Sequence, residues 1–273
     1  MPLFTKYITQ AILYFIIGVY TLHAKVYMEL DFDLVDGRML ISGSVEGQEG
    51  VYIFDTGSSG IILNAQNIDG DDGVLSTIYG DRVAELRDIK KLDIAGYYLK
   101  NLKSVLHMNL SELVTDVNQS ILGVIGWSVF DQDQPIFIDY TNGKIIIGKP
   151  ELSTNIIGHN HVIRLDLTEV GDNLPTVQIE VNNEKLTFAF DTGAPLHVMS
   201  LDKTPPVKGQ LFQENLKLNQ YITVKESLFR SENLTAFNEI DGILSVNSLN
   251  TDYVLIDRRG KRIFLFWKKD QTL

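Results

Sequence analysis

The chain has no cysteine, which excludes disulfides, thiolate nucleophiles and cysteine-held metals. It also lacks any long block of basic residues. Its 24 Lys and Arg stand against 35 Asp and Glu, leaving a net charge of −11. Nucleic acid, whose phosphates require a basic face, is therefore not an expected partner. No glycine-rich phosphate loop occurs, and His159-Asn-His161 has no third ligand close by in sequence, so neither a cofactor nor a metal is expected. Asp69 to Gly73 is acidic but lacks the spacing and closing Glu of a calcium loop.

Long hydrophobic runs are missing as well. The longest, Ala11 to Leu22, covers 12 residues, whereas a membrane span wants about 20. With a Lys before it and "HAK" after it, the run reads as the core of an export signal over residues 1–24, cleaved after Ala24. An uncleaved N-terminal anchor is the alternative, and only that form would touch a membrane. In either case the body of the protein leaves the cytoplasm. A cysteine-free exported chain fits a bacterial periplasmic or secreted setting better than a disulfide-rich route.

What is present is a folded composition, 44% hydrophobic and 22% charged, in 273 residues. Helical periodicity is sparse, the better stretches being 110–119 and 127–131. Short alternating runs such as "VYMELDFDL", "VIRLDL" and "TVQIEV" dominate and predict an all-β protein.

The chain is also written twice. With Asp55 laid on Asp191, an offset of 136, Met39 to Leu63 aligns without a gap on Pro175 to Met199. Each copy reads as a strand, a tight turn (Glu46-Gly47 or Asn182-Asn183) and a second strand ending in Phe-Asp-Thr-Gly. Downstream, "GVIGWSVF" (Gly123 to Phe130) and "GILSVNSL" (Gly242 to Leu249) each precede a further hairpin. These correspondences predict two similar lobes, residues 25–158 and 159–273, separated by the polar connector "KPELSTNIIGHNH".

One Asp-x-Gly turn is common for steric reasons. Two Asp-Thr-Gly turns inside an ungapped repeat, each after an apolar strand and each followed by an apolar-apolar-small element, resemble the aspartic protease family. "FDTGSSG" and "FAFDTGA" are most similar to its bacterial retropepsin-like members. The resemblance implies two pseudo-symmetric β-barrel-like lobes with the active site between them, and a polypeptide substrate. It makes Asp55 and Asp191 the catalytic pair, supported by Thr56, Gly57, Ser58, Thr192 and Gly193. Since the duplicated chain supplies both halves, a monomer is expected.

The chemistry accounts for these residue types. Two carboxylates sharing one water can deprotonate it and protonate the substrate carbonyl, provided one is ionised and the other is not. Like charges so close cannot both ionise, a behaviour for which aspartic proteases are the standard example. In the family the Thr hydroxyls tie the two turns together, and a hairpin flap covers the cleft. Here the flap candidate is Leu75 to Ile89 with its tip near Tyr79 and Gly80. The second lobe is shorter between its turn and its later element, which predicts a single flap. Two departures from internal symmetry stand out: Ser245 replaces Gly126, and Ala194 replaces Ser58. The family's use of a hydroxyl at Ser58 to hold its own Asp implies that Asp55 is the base and Asp191 the acid. Two other readings are a protease fold that binds peptides without cutting them, and a two-carboxylate glycosidase, for which matched turns would be an odd way to place unlike groups.

Overall fold

The computed structural model describes residues 28–268 apart from 67, 69–72, 78–79, 111–119, 131–132, 149–159, 172, 205–210, 233 and 235–238. The export-signal segment 1–24 and most of the helix candidate at 110–119 lie outside the described residues. The other helix candidate is a single 3₁₀ turn, Trp127–Val129. Among the described residues no helix is long and apolar enough to cross a membrane.

The first half of the chain forms β1 (Met28–Asp31), β2 (Asp33–Val35), β3 (Arg38–Val45), β4 (Gln48–Asp55), β5 (Ile61–Asn64), β6 (Gly73–Thr77), β7 (Gly80–Ile94), β8 (Tyr97–Met108), β9 (Ile121–Gly126), β10 (Ile136–Asp139) and β11 (Lys144–Ile147). The second half forms β12 (Asn160–Asp166), β13 (Thr168–Val170), β14 (Leu174–Val181), β15 (Glu184–Asp191), β16 (His197–Ser200), β17 (Leu211–Lys217), β18 (Thr223–Ser231), β19 (Gly242–Ser245), β20 (Tyr253–Asp257) and β21 (Arg262–Lys268).

Turn chemistry starts each lobe. Glu46 and Gly47, and likewise Asn182 and Asn183, all have positive φ, the backbone that a two-residue hairpin needs to match strand twist. The hairpins β3–β4 and β14–β15 follow directly, in register Met39↔Phe54 and Val177↔Phe188. The remaining strands of each lobe then close a ring. In the first lobe the order is β3-β4-β9-β5-β8-β7, and pairing of β7 with β3 shuts it through Gly43↔Ile94. In the second it is β14-β15-β19-β16-β18-β17, shut through Glu180↔Lys217. Each strand of one ring has its counterpart in the other. The fold is thus all-β, with two pseudo-symmetric barrel-like lobes, the architecture that the resemblance implies.

A third sheet, ordered β1-β11-β10-β20-β21-β12, belongs to neither lobe alone. Its central seam, Ile136↔Ile256 and Ile138↔Val254, joins the two halves of the chain, and all four of these side chains are fully buried. Burying an Ile or Val contributes about 1.5–3 kcal/mol, so this seam resists separation of the lobes.

Candidate active site

Asp55 and Asp191 are carried to the centre by their strands. In β4 and β15 the residues just before the Asp, Phe54 and Phe190, are completely buried and anchor the strand end. The chain then turns and leaves along β5 or β16, and a third strand fills the gap between arrival and departure. β9 runs parallel to β4 (Asp55↔Gly126) and antiparallel to β5 (Ile61↔Ile125). β19 does the same between β15 (Asp191↔Ser245) and β16 (Val198↔Ile243). Pinned on both sides, neither turn can slide.

The two turns meet face to face. The Thr56 hydroxyl donates to the Phe190 carbonyl at 2.6 Å and accepts the Thr192 amide at 3.1 Å. The Thr192 hydroxyl donates to the Phe54 carbonyl at 3.2 Å and accepts the Thr56 amide at 3.0 Å. Both threonines are fully buried. The glycines explain how the carboxylates come so close. A Cβ on Gly57 would lie 2.5 Å from Asp191 Oδ2, and one on Gly193 would lie 2.4 Å from Asp55 Cγ. Only hydrogen fits there. The two carboxyl groups are thus brought together, each bearing on the other's affinity for a proton.

The pair is asymmetric. Burial raises Asp55 well above the ordinary carboxylate range, and the neighbouring charge of Asp191 raises it further, against the smaller lowering by the amides of Gly57 and Gly193. Burial raises Asp191 too, but the hydrogen bond from Asp55, the amides of Ala194 and Gly193, and the positive charge of Arg38 oppose the rise. The geometry agrees. Asp191 Oδ1 accepts Gly193 N–H at 2.6 Å and Ala194 N–H at 2.8 Å, whereas Asp55 Oδ1 accepts Gly57 N–H at 2.7 Å. The direction of the two shifts favours the proton on Asp55 and the charge on Asp191.

That reverses the expected roles of the two groups. The Ser58 hydroxyl, expected to hold the Asp55 carboxylate, has no hydrogen-bond partner among the described residues. The Ser58 amide turns instead to the Asp55 backbone carbonyl at 3.2 Å. Each Asp is served by two backbone amides; Arg38, which lowers Asp191 alone, adds to the difference between them.

Of the flap candidate, β6 and β7 form a hairpin in which Thr77 pairs with Gly80. Gly80 opens β7, while Tyr79 lies outside the described residues. β7 has its counterpart in β17, but β6 has none among the described residues of the second lobe.

Sequence reasoning missed a second set of cross-lobe contacts. Asn247, which holds the Thr192 carbonyl of its own lobe at 2.7 Å, reaches across to donate to the Gly37 carbonyl at 2.5 Å and to accept the Tyr140 hydroxyl at 2.6 Å. Pseudo-symmetrically, the Trp127 indole donates to the Asn173 carbonyl at 2.9 Å, and the Arg258 guanidinium lies 4.1 Å from the Trp127 ring. Gly37 and Asn173 are themselves 136 positions apart, so each lobe sends a hairpin tip to the other. The available signal was the repeat offset, which makes Gly37 and Asn173 equivalents. The same offset sets Arg38 opposite Leu174, so the cation beside Asp191 has no twin in the other lobe.

No family model matches the sequence, and no curated protein matches it. Among solved structures, the crystal structure of basic 7S globulin from soybean is similar, with a TM-score of 0.48 and 9% identity over 88% of this chain and 94% of that one.

Proposed function

We propose that this protein is an aspartic endopeptidase, an exported hydrolase of polypeptides that acts as a monomer. The observation that carries the reading is the pair itself: two carboxyl groups brought face to face at the junction of two lobes by cross-bonded threonines and by glycines that leave room for the opposite Asp, with unlike proton affinity. Such a pair suits a metal-free attack by water. Asp191, ionised, takes the proton of a bound water as it adds to the peptide carbonyl. Asp55, protonated, gives its proton to the carbonyl oxygen as the centre becomes tetrahedral. Return of a proton to the leaving amine then breaks the C–N bond. The peptide-binding and glycosidase readings have no such support, because a binding module needs no proton-sharing pair and a glycosidase needs its acid and base apart.

The test is cleavage of a diverse peptide pool by the purified protein across acid to neutral pH, read by mass spectrometry. The parent should cut, and Asp55→Asn and Asp191→Asn should each remain folded and fail to cut, since a unit of two loses nearly all its activity when either member goes. An inactive parent, or substantial turnover by either variant, would overturn the reading.

A further inference from the structure

Behind the two Asp turns the lobes solve one hydrogen-bonding problem in different ways. In the first lobe Gly126 lies directly under its turn, where a Cβ would strike the Ser58 carbonyl oxygen at 2.2 Å. Its amide donates to the Gly60 carbonyl at 2.7 Å. In the second lobe Ser245 holds that place. Its hydroxyl donates to the Ala194 carbonyl at 2.7 Å, the same carbonyl that a Cβ strikes in the other lobe. The second turn thus stands off from β19 by the reach of a hydroxyl. The Ser245 amide finds a side chain in place of the backbone acceptor: it donates to His197 Nδ1 at 3.1 Å. At the repeat offset His197 corresponds to Ile61, so the imidazole and the serine are changes made together in one lobe.

We propose that His197 is a positioning residue for Asp191, its neutral imidazole accepting the Ser245 amide and so setting the stand-off of the second turn. This rests on the endopeptidase reading, in which Asp191 is the base. The connection is continuous: His197 holds the Ser245 amide, Ser245 holds the Ala194 carbonyl, and Ala194 N–H donates to Asp191 Oδ1. His197 and Ser245 are almost wholly buried, so an amide deprived of its acceptor here finds no water to replace it. Because Nδ1 accepts, the ring proton sits on Nε2. Nε2 has no hydrogen-bond partner among the described residues. The charged group facing it is Glu226 on β18, whose Oε2 lies 3.6 Å away. On the β19 side the ring meets the uncharged Ser245. A proton added at Nδ1 would place two donors against each other and release the Ser245 amide.

The full-chain protein, labelled with ¹⁵N, tests the contact directly. An N–H···N bond transmits a scalar coupling between the Ser245 and His197 nitrogens; the coupling should be present, and its absence overturns the proposal. The Asp55 and Asp191 carboxyl carbons are then followed through pH in the parent, in His197→Leu, which removes the acceptor, and in His197→Asn, whose Oδ1 can take the place of Nδ1. His197→Leu should displace the apparent constants of the pair and lower kcat about ten- to hundredfold with KM little changed. His197→Asn should recover most of both. A folded His197→Leu whose carboxyl titration overlays the parent would refute a positioning role, as would a His197→Asn no better than His197→Leu. Should His197→Leu fail to fold, the coupling and the Asn variant still decide. Carboxyl titration needs no turnover, so a protein without peptidase activity would sink the endopeptidase reading and leave this test standing.

Discussion

Asp55 and Asp191 occupy matching places in matching turns, yet Asp191 Oδ1 takes two amides of its own turn and Asp55 Oδ1 takes one. The difference lies in the third residue after each Asp, whose amide reaches the carboxylate in the second turn and the backbone carbonyl in the first. Amides aimed at a carboxylate favour its charged form. Arg38 adds its charge on the same side. The Ser58 hydroxyl, buried and without a partner among the described residues, contributes nothing to this asymmetry. Ser58→Ala should accordingly leave both limbs of the pH–rate profile on the parent's curve. It should also leave thermal stability unchanged or slightly raised, because the variant no longer buries an unpaired hydroxyl. An acid limb displaced by Ser58→Ala would show the hydroxyl bonded to Asp55 in solution, and the assignment of acid and base would revert.

Between elements, the threonine pair links lobe to lobe in both directions. Removing the Thr56 hydroxyl strands the Phe190 carbonyl and the Thr192 amide, both in a fully buried setting. Each stranded group costs about 1–3 kcal/mol, so Thr56→Val should lower stability by about 2 kcal/mol or more, a fall in Tm of roughly 4–8 °C. Thr192→Val strands the Phe54 carbonyl and the Thr56 amide and should melt at a similar temperature. Calorimetry on the two variants checks both the size of the loss and its symmetry. These elements were legible in the sequence where local chemistry sets them. Gly47 and Asn182-Asn183 announce their turns because few other residues accept positive φ. The apolar strand ending in Asp-Thr-Gly places the carboxylates at strand ends. The seam Ile136↔Ile256 was not legible, since it pairs strands from different halves and nothing in either strand names its partner. The length of β7, 15 residues with a register shift between Arg87 and Ile89, was hidden for a related reason: a bulge breaks the alternation that marks a strand. His197 was hidden differently, as a lone imidazole on a strand that becomes meaningful only once Ser245 is beside it.

For the molecule as a whole, the buried pair links folding to pH. Burial, the charge of Asp191 and the bond between the carboxyl groups raise Asp55 above the value it has in the unfolded chain. The native state therefore binds protons more tightly than the unfolded state. From the unfolded carboxylate value, about pH 4, up to the native value, the folded protein carries more protons and its stability falls as pH rises. The stabilisation is complete below that window and lost above it. Asp88 runs the other way, held low by its hydrogen bond to Lys103, but this pair is exposed and contributes little. Asp55→Asn removes the titrating group while keeping its shape. It should change Tm little near pH 4, raise it at neutral pH, and flatten the slope between. Thermal melts of parent and variant across that range decide the point: a difference in Tm that stays constant with pH would mean that the pair shares no proton. The burial that weakens the fold as pH rises is the same burial that keeps Asp55 protonated above the ordinary carboxylate range, so a falling stability curve and an acid that still donates above that range should appear together.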